Sequence, residues 1–587
     1  MAKSKANEES EELDVVSKMP SPRLVKLIIK NFRCIGSVPV TIELSDIVVL
    51  VGSNNAGKSS LLRAYELVMS EGSKAGELKL DDFPNNTIDP ENLPEIELHT
   101  IVFESRVGEI WLEETDANEF LVKEKWSWKN VGKPDRRGWD VKAGDWHASK
   151  APFGPPNIAN LRRPEPHKVD AFSKPEDQAE NIKKLLLSAI QERVNQLKTA
   201  EEKNAYHSMI ESVKGVQLQI VEETKGQLDA ANAELTSLIG KVFPNYQVNF
   251  NAQPDNNAES VLFKWTSELL MGPMDGFMST IDRQGSGARR TLLWTALKYI
   301  SETERPEKKD DGLGRPHILL IDEPEICLHP NAIREACKVL YDLPTLGNWQ
   351  VMVTTHSPIF IDFSRDNTTI IRVERNLKGD VGGTTIFRPE RAKLSEDDKL
   401  NLKLLNICDP YVAEFLFGGK VIIVEGDTEY TAFNYVRSVH PDDYRDIHII
   451  RARGKATIVS LVKILNHFGK SYSVLHDSDT PLTKKGDKAN PAWGNNPNIL
   501  QAVNDSPDGT NVRLLASIPN FESAYFDLEV SKEKPYNAIT TLKEQPEKFK
   551  VVKLLLDALI DHEGALPDNC VEWNDLEELK RLVEGKG

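Results

Sequence analysis

The sequence predicts an α/β protein in two parts, the first interrupted by a partly helical insertion and the second a parallel sheet flanked by helices. Three observations lead there. The apolar run in "DIVVLVG" opens into the glycine-rich loop "GSNNAGKSS" at 52–60 and then into "LLRAYELVMS", which has helical spacing. A second apolar run, in "PHILLIDEPEICLHP" (316–330), stops at two adjacent carboxylates. The strand–helix alternation then restarts at 419 with "GKVIIVEGDTEYTAFNYV".

Size and composition set the frame. A chain of 587 residues exceeds one hydrophobic core, so about two to four domains are expected. At 40% hydrophobic and 28% charged the composition is that of a globular protein. No apolar run reaches membrane-spanning length, and no membrane partner is expected. The N-terminal "MAKSKANEESEELDVVSK" lacks the apolar centre of a signal peptide, so 1–21 reads as a disordered lead-in. The cysteines (Cys34, Cys327, Cys337, Cys408 and Cys570) are scattered and without ligand spacing, which fits a reducing, cytoplasmic setting. A net charge of −17 weighs against a nucleic-acid surface over the whole molecule but leaves room for local basic patches.

Taken in order, "LVKLIIKNF" and "DIVVLVG" are two strands, the second apolar throughout, as expected of a strand covered on both faces. The loop fits G-x-x-x-x-G-K-[ST] through Gly52, Gly57, Lys58 and Ser59, with Asn54, Asn55 and Ser60 around them. Its glycines let backbone N–H groups close on phosphate oxygens. Lys58 brings a point charge to the outer phosphates, and Ser59 offers a hydroxyl to Mg²⁺. The strand before the loop and the helix after it make a chance glycine turn a poor explanation. At the later strand end, Asp322 suits water-mediated hold of Mg²⁺, and Glu323 suits positioning or deprotonating an attacking water. A further strand in "WQVMVTTHSP" ends near His356, a donor for a terminal phosphate. In "DRQGSGARRTLLWTALKYI", Ser286 and Gly287 lie at a helix N-terminus suited to phosphate.

In this order the pieces resemble an ABC-type P-loop ATPase head of the RecF/SMC/Rad50 kind. The resemblance implies ATP with Mg²⁺, and a "GSGAR" signature that completes the nucleotide site of a second subunit, hence a homodimer or higher homo-oligomer through the heads. One departure stands out: where such heads have a Gln-containing strand end, "IELHTIVFE" offers Glu104, which implies a slow ATPase or a switch. Between the half-sites, "KEKWSWKNVGKPDRRGWDVKAGDWHASK" is aromatic and basic and reads either as a DNA-facing surface or as a stiff, partly buried module. "ENIKKLLLSAIQERVNQLK" and "GQLDAANAELTSLIGKVF" have helical spacing without sustained heptads, a helical hairpin or small bundle suited to dimerisation.

The second part places Glu425 at the end of an apolar strand and Glu429 in the first turn of the helix that follows. "DIHIIRARGKATIVSLVKIL" gives another strand and helix, and "KSYSVLHDSD" a third strand. Alternation of side chains along that strand puts Asp477 and Asp479 on one face. Carboxylates gathered at one sheet edge repel unless a cation lies among them, and all-oxygen ligation selects Mg²⁺, Mn²⁺ or Ca²⁺. The plain alternative is a set of acidic turns at an empty sheet edge. Arg451, Arg453, Lys455, Lys484, Lys485 and Lys488 supply a local basic surface for a phosphate backbone, or balance the acids. "LLASIPNFESAYF" is another strand-to-helix join with Glu522 at its exit, and Lys534 follows.

"IIVEGDTE" and "LHDSD" resemble a Toprim domain. An ATPase head followed by a Toprim domain, with "DDF", "QGSGARR", "RGKATI", "NPAWGNNPNI" and "PNFE", is similar to the OLD (overcoming lysogenization defect) family of nucleases, whose relatives include Gabija-type and retron-associated effectors. The resemblance implies an ATP-regulated DNA endonuclease with two divalent metals, acting in antiviral defence. It implies Glu425, Asp477 and Asp479 on one ion, Glu429 and Glu522 on the second, and Lys534 on the transition-state charge. It also implies DNA as substrate and a partner such as a retron reverse transcriptase–DNA complex or a helicase. The expected domains are a lead-in (1–21), a first ATPase lobe (22–110), an insertion (111–275), a second lobe (276–380), a linker (381–418), a Toprim domain (419–545) and C-terminal helices (546–587). A RecF-like repair ATPase with a non-cleaving Toprim module is the second reading. A topoisomerase lacks room for the domain that would carry its tyrosine.

Overall fold

The computed structural model describes residues 22–585 apart from 104–106, 117–118, 157, 160–162, 171–175, 178, 181, 184–224, 242, 244, 254–265, 304–316, 347–348, 376–378, 484–487 and 527–532. The lead-in, Glu104, Lys484, Lys485 and most of the first insertion helix lie outside the described residues. The chain forms two compact units, Met1–Ile47 with Ser59–Thr354, and Val48–Lys58 with Thr355–Gly587.

In the first unit, strand Arg23–Lys30 lies antiparallel between Val40–Glu43 and Glu95–Val102. The sheet continues without a break through Glu119–Ser127, Asp135–Asp140 and Asp145–Trp146, with Glu113–Asp116 paired to Glu119–Ser127. The boundary expected at 110 therefore falls inside one sheet. The cause is legible in "EFLVKEKWS", where Val122, Glu124 and Trp126 alternate inward. Trp126 and Trp128 are fully buried, so of the two readings of this aromatic stretch the packed one holds for them.

An inward-facing Glu124 requires partners. Arg163 bonds Glu124 at 2.5 Å and Glu71 at 3.2 Å; Arg136 and the Trp126 indole also donate to Glu71, at 2.9 and 3.0 Å. Burial raises the Glu124 pKa against the pull of both arginines. Further on, Glu165–Val169 runs parallel to His317–Asp322, which runs parallel to Trp349–Thr354. The last two strands are apolar and buried along nearly their whole length, as covered parallel strands are. Within the expected helical insertion the described residues include helical residues at 176–177, 179–180 and 182–183 and a longer helical piece at 225–240, followed by an antiparallel pair, Tyr246–Gln253 with Thr266–Pro273.

In the second unit the stretch read as a linker, 381–418, is built into the fold. It holds strand Val381–Phe387, antiparallel to Thr368–Arg375, and helix Glu396–Cys408. That helix opens with a capping box between Ser395 and Asp398. Asp398 also accepts from Ser460 at 2.7 Å and Lys463 at 2.6 Å on helix Lys455–His467. A five-stranded sheet follows in the order Ile447–Arg451, Lys420–Val424, Tyr472–Asp477, Val512–Ser517, Cys570–Glu572. The first three pairings are parallel and the last antiparallel. Ile422, Val424, Leu475 and Leu515 pack with Phe433, Val436, Val552 and Leu555 in its core. Each such side chain, fully buried, contributes roughly 1.5–3 kcal/mol.

The C-terminal segment is not all helix. Between helices Pro546–Ile560 and Leu576–Gly585, Cys570–Glu572 adds the fifth strand. Directly after it, buried Trp573 donates from its indole to His476 Nε2 at 3.1 Å.

Candidate functional site

Three parallel strands of the second unit bring their C-terminal ends, the usual place for a site in such a sheet, to one edge. Glu425 follows the last residue of Lys420–Val424, and its Oε2 accepts from the Asp477 backbone N–H at 3.0 Å. Asp477 closes strand Tyr472–Asp477, and its Oδ1 accepts from the Phe521 N–H at 2.8 Å. Glu429 lies buried in the first turn of helix Asp427–Val439. Glu522 lies buried in the short helix Phe521–Tyr525, held by the Thr428 hydroxyl at 2.8 Å and by Lys534 Nζ at 3.1 Å.

Asp479 reaches the cluster by a different route from the expected one. The strand ends at Asp477, and Asp479 takes a left-handed backbone (φ 57°), which Asp tolerates better than most residues. Simple alternation does not explain its orientation. Its carboxylate is held by Lys455, whose ammonium also donates to Asn496 Oδ1 at 3.0 Å. Asn496 in turn donates to the Ser478 carbonyl at 2.9 Å. Of the two readings of the basic residues, a phosphate-facing surface or a balance to the acids, Lys455 and Arg451 follow the second, Arg451 bonding Asp427 at 2.7 Å and Asp409 at 3.4 Å. Exposed Arg453 has no ionic partner among the described residues. Asn496 and Thr428 were not singled out from sequence, although "NPAWGNNPNI" and "EGDTE" contain them.

The electrostatics show what the cluster lacks. Burial pushes the Glu429 carboxyl up to about 8, with the Glu425 and Glu522 charges adding to the rise and Lys534 opposing it. Burial first, then the Glu429 and Glu425 charges, raise Asp477 well above the usual carboxylate range. Glu425 is also raised, by burial, with Lys455 pulling it down and Asp479 and Glu522 pushing it up. Two lysines, buried Lys455 and exposed Lys534, do not neutralise five acids. An all-oxygen donor set under this strain fits hard divalent ions, which displace the protons that the acids otherwise retain.

The nucleotide-type residues fall in two sets. In the second unit Lys58 Nζ donates to the Gly52 and Ser53 carbonyls, each at 3.0 Å, and lies 2.8 Å from His356 Nε2. Gly52 has φ +144°, and a Cβ there would stand 2.3 Å from the Val373 carbonyl oxygen, so only glycine fits. Asn55 is anchored by Arg375, which bonds its carbonyl at 2.6 Å, and exposed Asn54 lies on the same loop. In the first unit Ser59 Oγ lies 3.1 Å from both Asp322 carboxylate oxygens, the geometry of two ligands to one ion. Ser60 Oγ is 3.5 Å from Cys34 Sγ. Glu323 has φ 49°; its N–H donates to the Thr354 carbonyl at 3.0 Å, and its carbonyl accepts from Arg290 at 2.8 Å. Arg290 belongs to helix Ser286–Thr303, which starts at Ser286 as expected. Gly287 passes so close to the Cys327 carbonyl that a Cβ would stand 2.7 Å away.

Comparison with known proteins finds family matches in two regions of the chain. Residues 23–134 and 162–361 match the AAA ATPase domain, and 416–479 match the TOPRIM domain of overcoming lysogenization defect protein-like proteins. The Old nuclease of Escherichia phage P2 is 24% identical over 523 residues, 85% of each chain. The OLD nuclease of Thermus scotoductus is 23% identical over 480 residues, 79% of this chain and 84% of the relative. A solved Smc head domain derived from Pyrococcus furiosus, with an extended coiled coil and bound to the C-terminal domain of ScpA, is 14% identical. It covers 63% of this chain and 98% of its own, with a TM-score of 0.38. The two matched domains imply use of ATP and of a divalent metal. The chain belongs to the AAA ATPase domain family and, with the TOPRIM domain joined to it, is an OLD-family nuclease, an ATPase and a nuclease in one polypeptide.

Proposed function

We propose that this chain is an ATP-regulated, divalent-metal-dependent DNA endonuclease. The observation that carries the reading is the gathering of Glu425, Glu429, Asp477, Asp479 and Glu522 at one sheet edge, where burial and mutual repulsion raise the carboxyls of Glu425, Glu429 and Asp477. Glu425, Asp477 and Asp479 hold one ion; Glu429 and Glu522 hold a second; Mg²⁺ is the expected ion, and Mn²⁺ or Ca²⁺ suits the same oxygens. Two such ions supply an activated water and a stabilised leaving oxygen for in-line phosphodiester hydrolysis. Around them, Thr428 orients Glu522, Lys455 and Asn496 fix Asp479, and the Phe521 N–H fixes Asp477. Lys534 stands on the Glu522 side, placed to offset charge developing on the phosphate.

Lys58, Ser59, Asp322, Glu323 and His356 serve ATP and its Mg²⁺, with Gly57, Asn54, Asn55 and Ser60 in the loop. Ser286 and Gly287 serve the nucleotide of a second copy in a dimer of heads. ATP state gates access of DNA to the nuclease site. On the family resemblance, the role is defence against phage, with a nucleic-acid-bearing partner controlling the enzyme. Asp477→Ala should abolish plasmid nicking with Mg²⁺ or Mn²⁺ while ATP hydrolysis persists, and Lys58→Ala should abolish ATP hydrolysis. Cleavage by the Asp477→Ala protein overturns the site. A non-cleaving Toprim module is the second reading, favoured by the ion pairs that Lys455 and Lys534 make with Asp479 and Glu522. Wild-type protein that nicks nothing at any metal concentration establishes it.

A further inference from the structure

We propose that Glu165, His167 and His317 form a binding site for a divalent transition ion of the Zn²⁺ type, separate from the residues assigned to nucleotide and to DNA cleavage. The register of the parallel strands puts the three side chains on one face. His317, the first residue of its strand, lies opposite Glu165, and His167 follows Glu165 by two residues. One ligand atom from each lies within 4.8 Å of the other two. His167 Nε2 and His317 Nδ1 are 3.1 Å apart, whereas two imidazole nitrogens on a tetrahedral zinc stand about 3.3 Å apart. The Glu165 carboxylate reaches solvent.

The imidazoles are held by a rigid wall. Trp349, opposite His317 on the next strand, stacks on His317 at 4.7 Å between centroids and on His167 at 5.2 Å. Trp349 is buried, and its indole N–H has no hydrogen-bond partner among the described residues. Two nitrogens and one carboxylate, with an open position, select Zn²⁺, Co²⁺ or Ni²⁺ over Mg²⁺, the reverse of the five-acid cluster. The site lies at the opposite end of strand His317–Asp322 from Asp322, about 16 Å along it at roughly 3.3 Å per residue. A bound ion therefore clips the start of strand Glu165–Val169 to the start of its neighbour His317–Asp322.

The alternative is a His–His–Glu hydrogen-bonded chain that takes no ion. Full-length protein carrying Asp477→Ala, which removes a main ligand of the acid cluster, is stripped with chelator and titrated with Co²⁺ alone. Visible absorption and the rise in melting temperature are followed. The expected result is one equivalent bound, with the intense band of a nitrogen-containing, low-coordinate Co²⁺ site, and zinc in the protein as purified. His167→Gln and Glu165→Gln, both on the outer side of the set, should each weaken Co²⁺ binding by about tenfold or more. Far-UV circular dichroism confirms that the variants fold. Equal titration of the parent and both variants, or a parent that takes no Co²⁺, overturns the site.

Discussion

Lys455 sits buried at the start of its helix, with its ammonium on Asp479 and Asn496. A cation at a helix N-terminus is disfavoured by the helix dipole, so this one is retained by its partners. Lys455→Met removes the charge but leaves Asp479, Asn496 and the helix end to rearrange. The expected loss is about 2 kcal/mol, the penalty of stranding a buried polar partner, read as a lower melting temperature of the metal-free protein. Nicking should fall as well, since Asp479 loses its anchor. Unchanged melting would mean that the pair contributes nothing.

The acids make a pH prediction at the same scale. Glu429 is raised from an ordinary 4.5 to about 8, so its contribution to stability is complete below 4.5 and is lost as pH rises through 8. A divalent ion that displaces the proton reverses this, and the melting-temperature increment from Mg²⁺ should grow steadily from pH 5 to pH 8. Glu429→Gln should flatten that growth; an increment independent of pH in wild type would contradict it. His476 works in the other direction. Burial holds its pKa down at about 3, and the ring is fixed as a neutral imidazole that donates from Nδ1 to the Asp477 carbonyl and accepts at Nε2 from Trp573. Its contribution is present above the usual 6.5 and is lost as pH falls toward 3.

At the scale of elements, helix Glu396–Cys408 depends on one carboxylate. Asp398 closes the capping box with Ser395 and also holds Ser460 and Lys463, and these donors keep its pKa low despite burial. Asp398→Ala removes cap and tertiary anchor together, at a cost of about 2–3 kcal/mol by thermal melting. In wild type that contribution is present above the usual 3.8 and is lost as pH falls through the lowered value. Gly287→Ala tests the other unit. The added methyl meets the Cys327 carbonyl, so either the helix start or the 323–328 turn must shift. Because Arg290 of that helix holds the Glu323 carbonyl, ATP hydrolysis should fall several-fold while the melting temperature changes little. Wild-type turnover in Gly287→Ala would show that the contact is loose.

Across the whole molecule, the strands that end in functional residues were legible because buried parallel strands read as unbroken apolar runs. "VIIV", "SVLHD" and "HILLID" fall where expected. Glu425, Glu429, Asp477 and Glu522 converge as their motifs suggested. The strands at 113–146 were hidden because inward Glu124 breaks the apolar alternation, and its partner Arg163 is 39 residues away. Asp479 was placed by a periodicity that ends two residues before it. The stretch 381–418 looked like a linker because its polar helix face packs through Asp398 rather than through a broad apolar stripe. Glu165, His167 and His317 share no sequence motif, as His167 lies 150 residues before His317.

The last strand, Cys570–Glu572, covers one flank of Val512–Ser517, and Trp573 behind it steadies the imidazole next to Asp477. A polypeptide cut short before Cys570 would leave Val512–Ser517 with bare amides and carbonyls along its outer side, ready to recruit the same segment of a neighbouring molecule. A stop codon placed just before the codon for Cys570 should therefore yield insoluble, self-associating product rather than a trimmed but working enzyme.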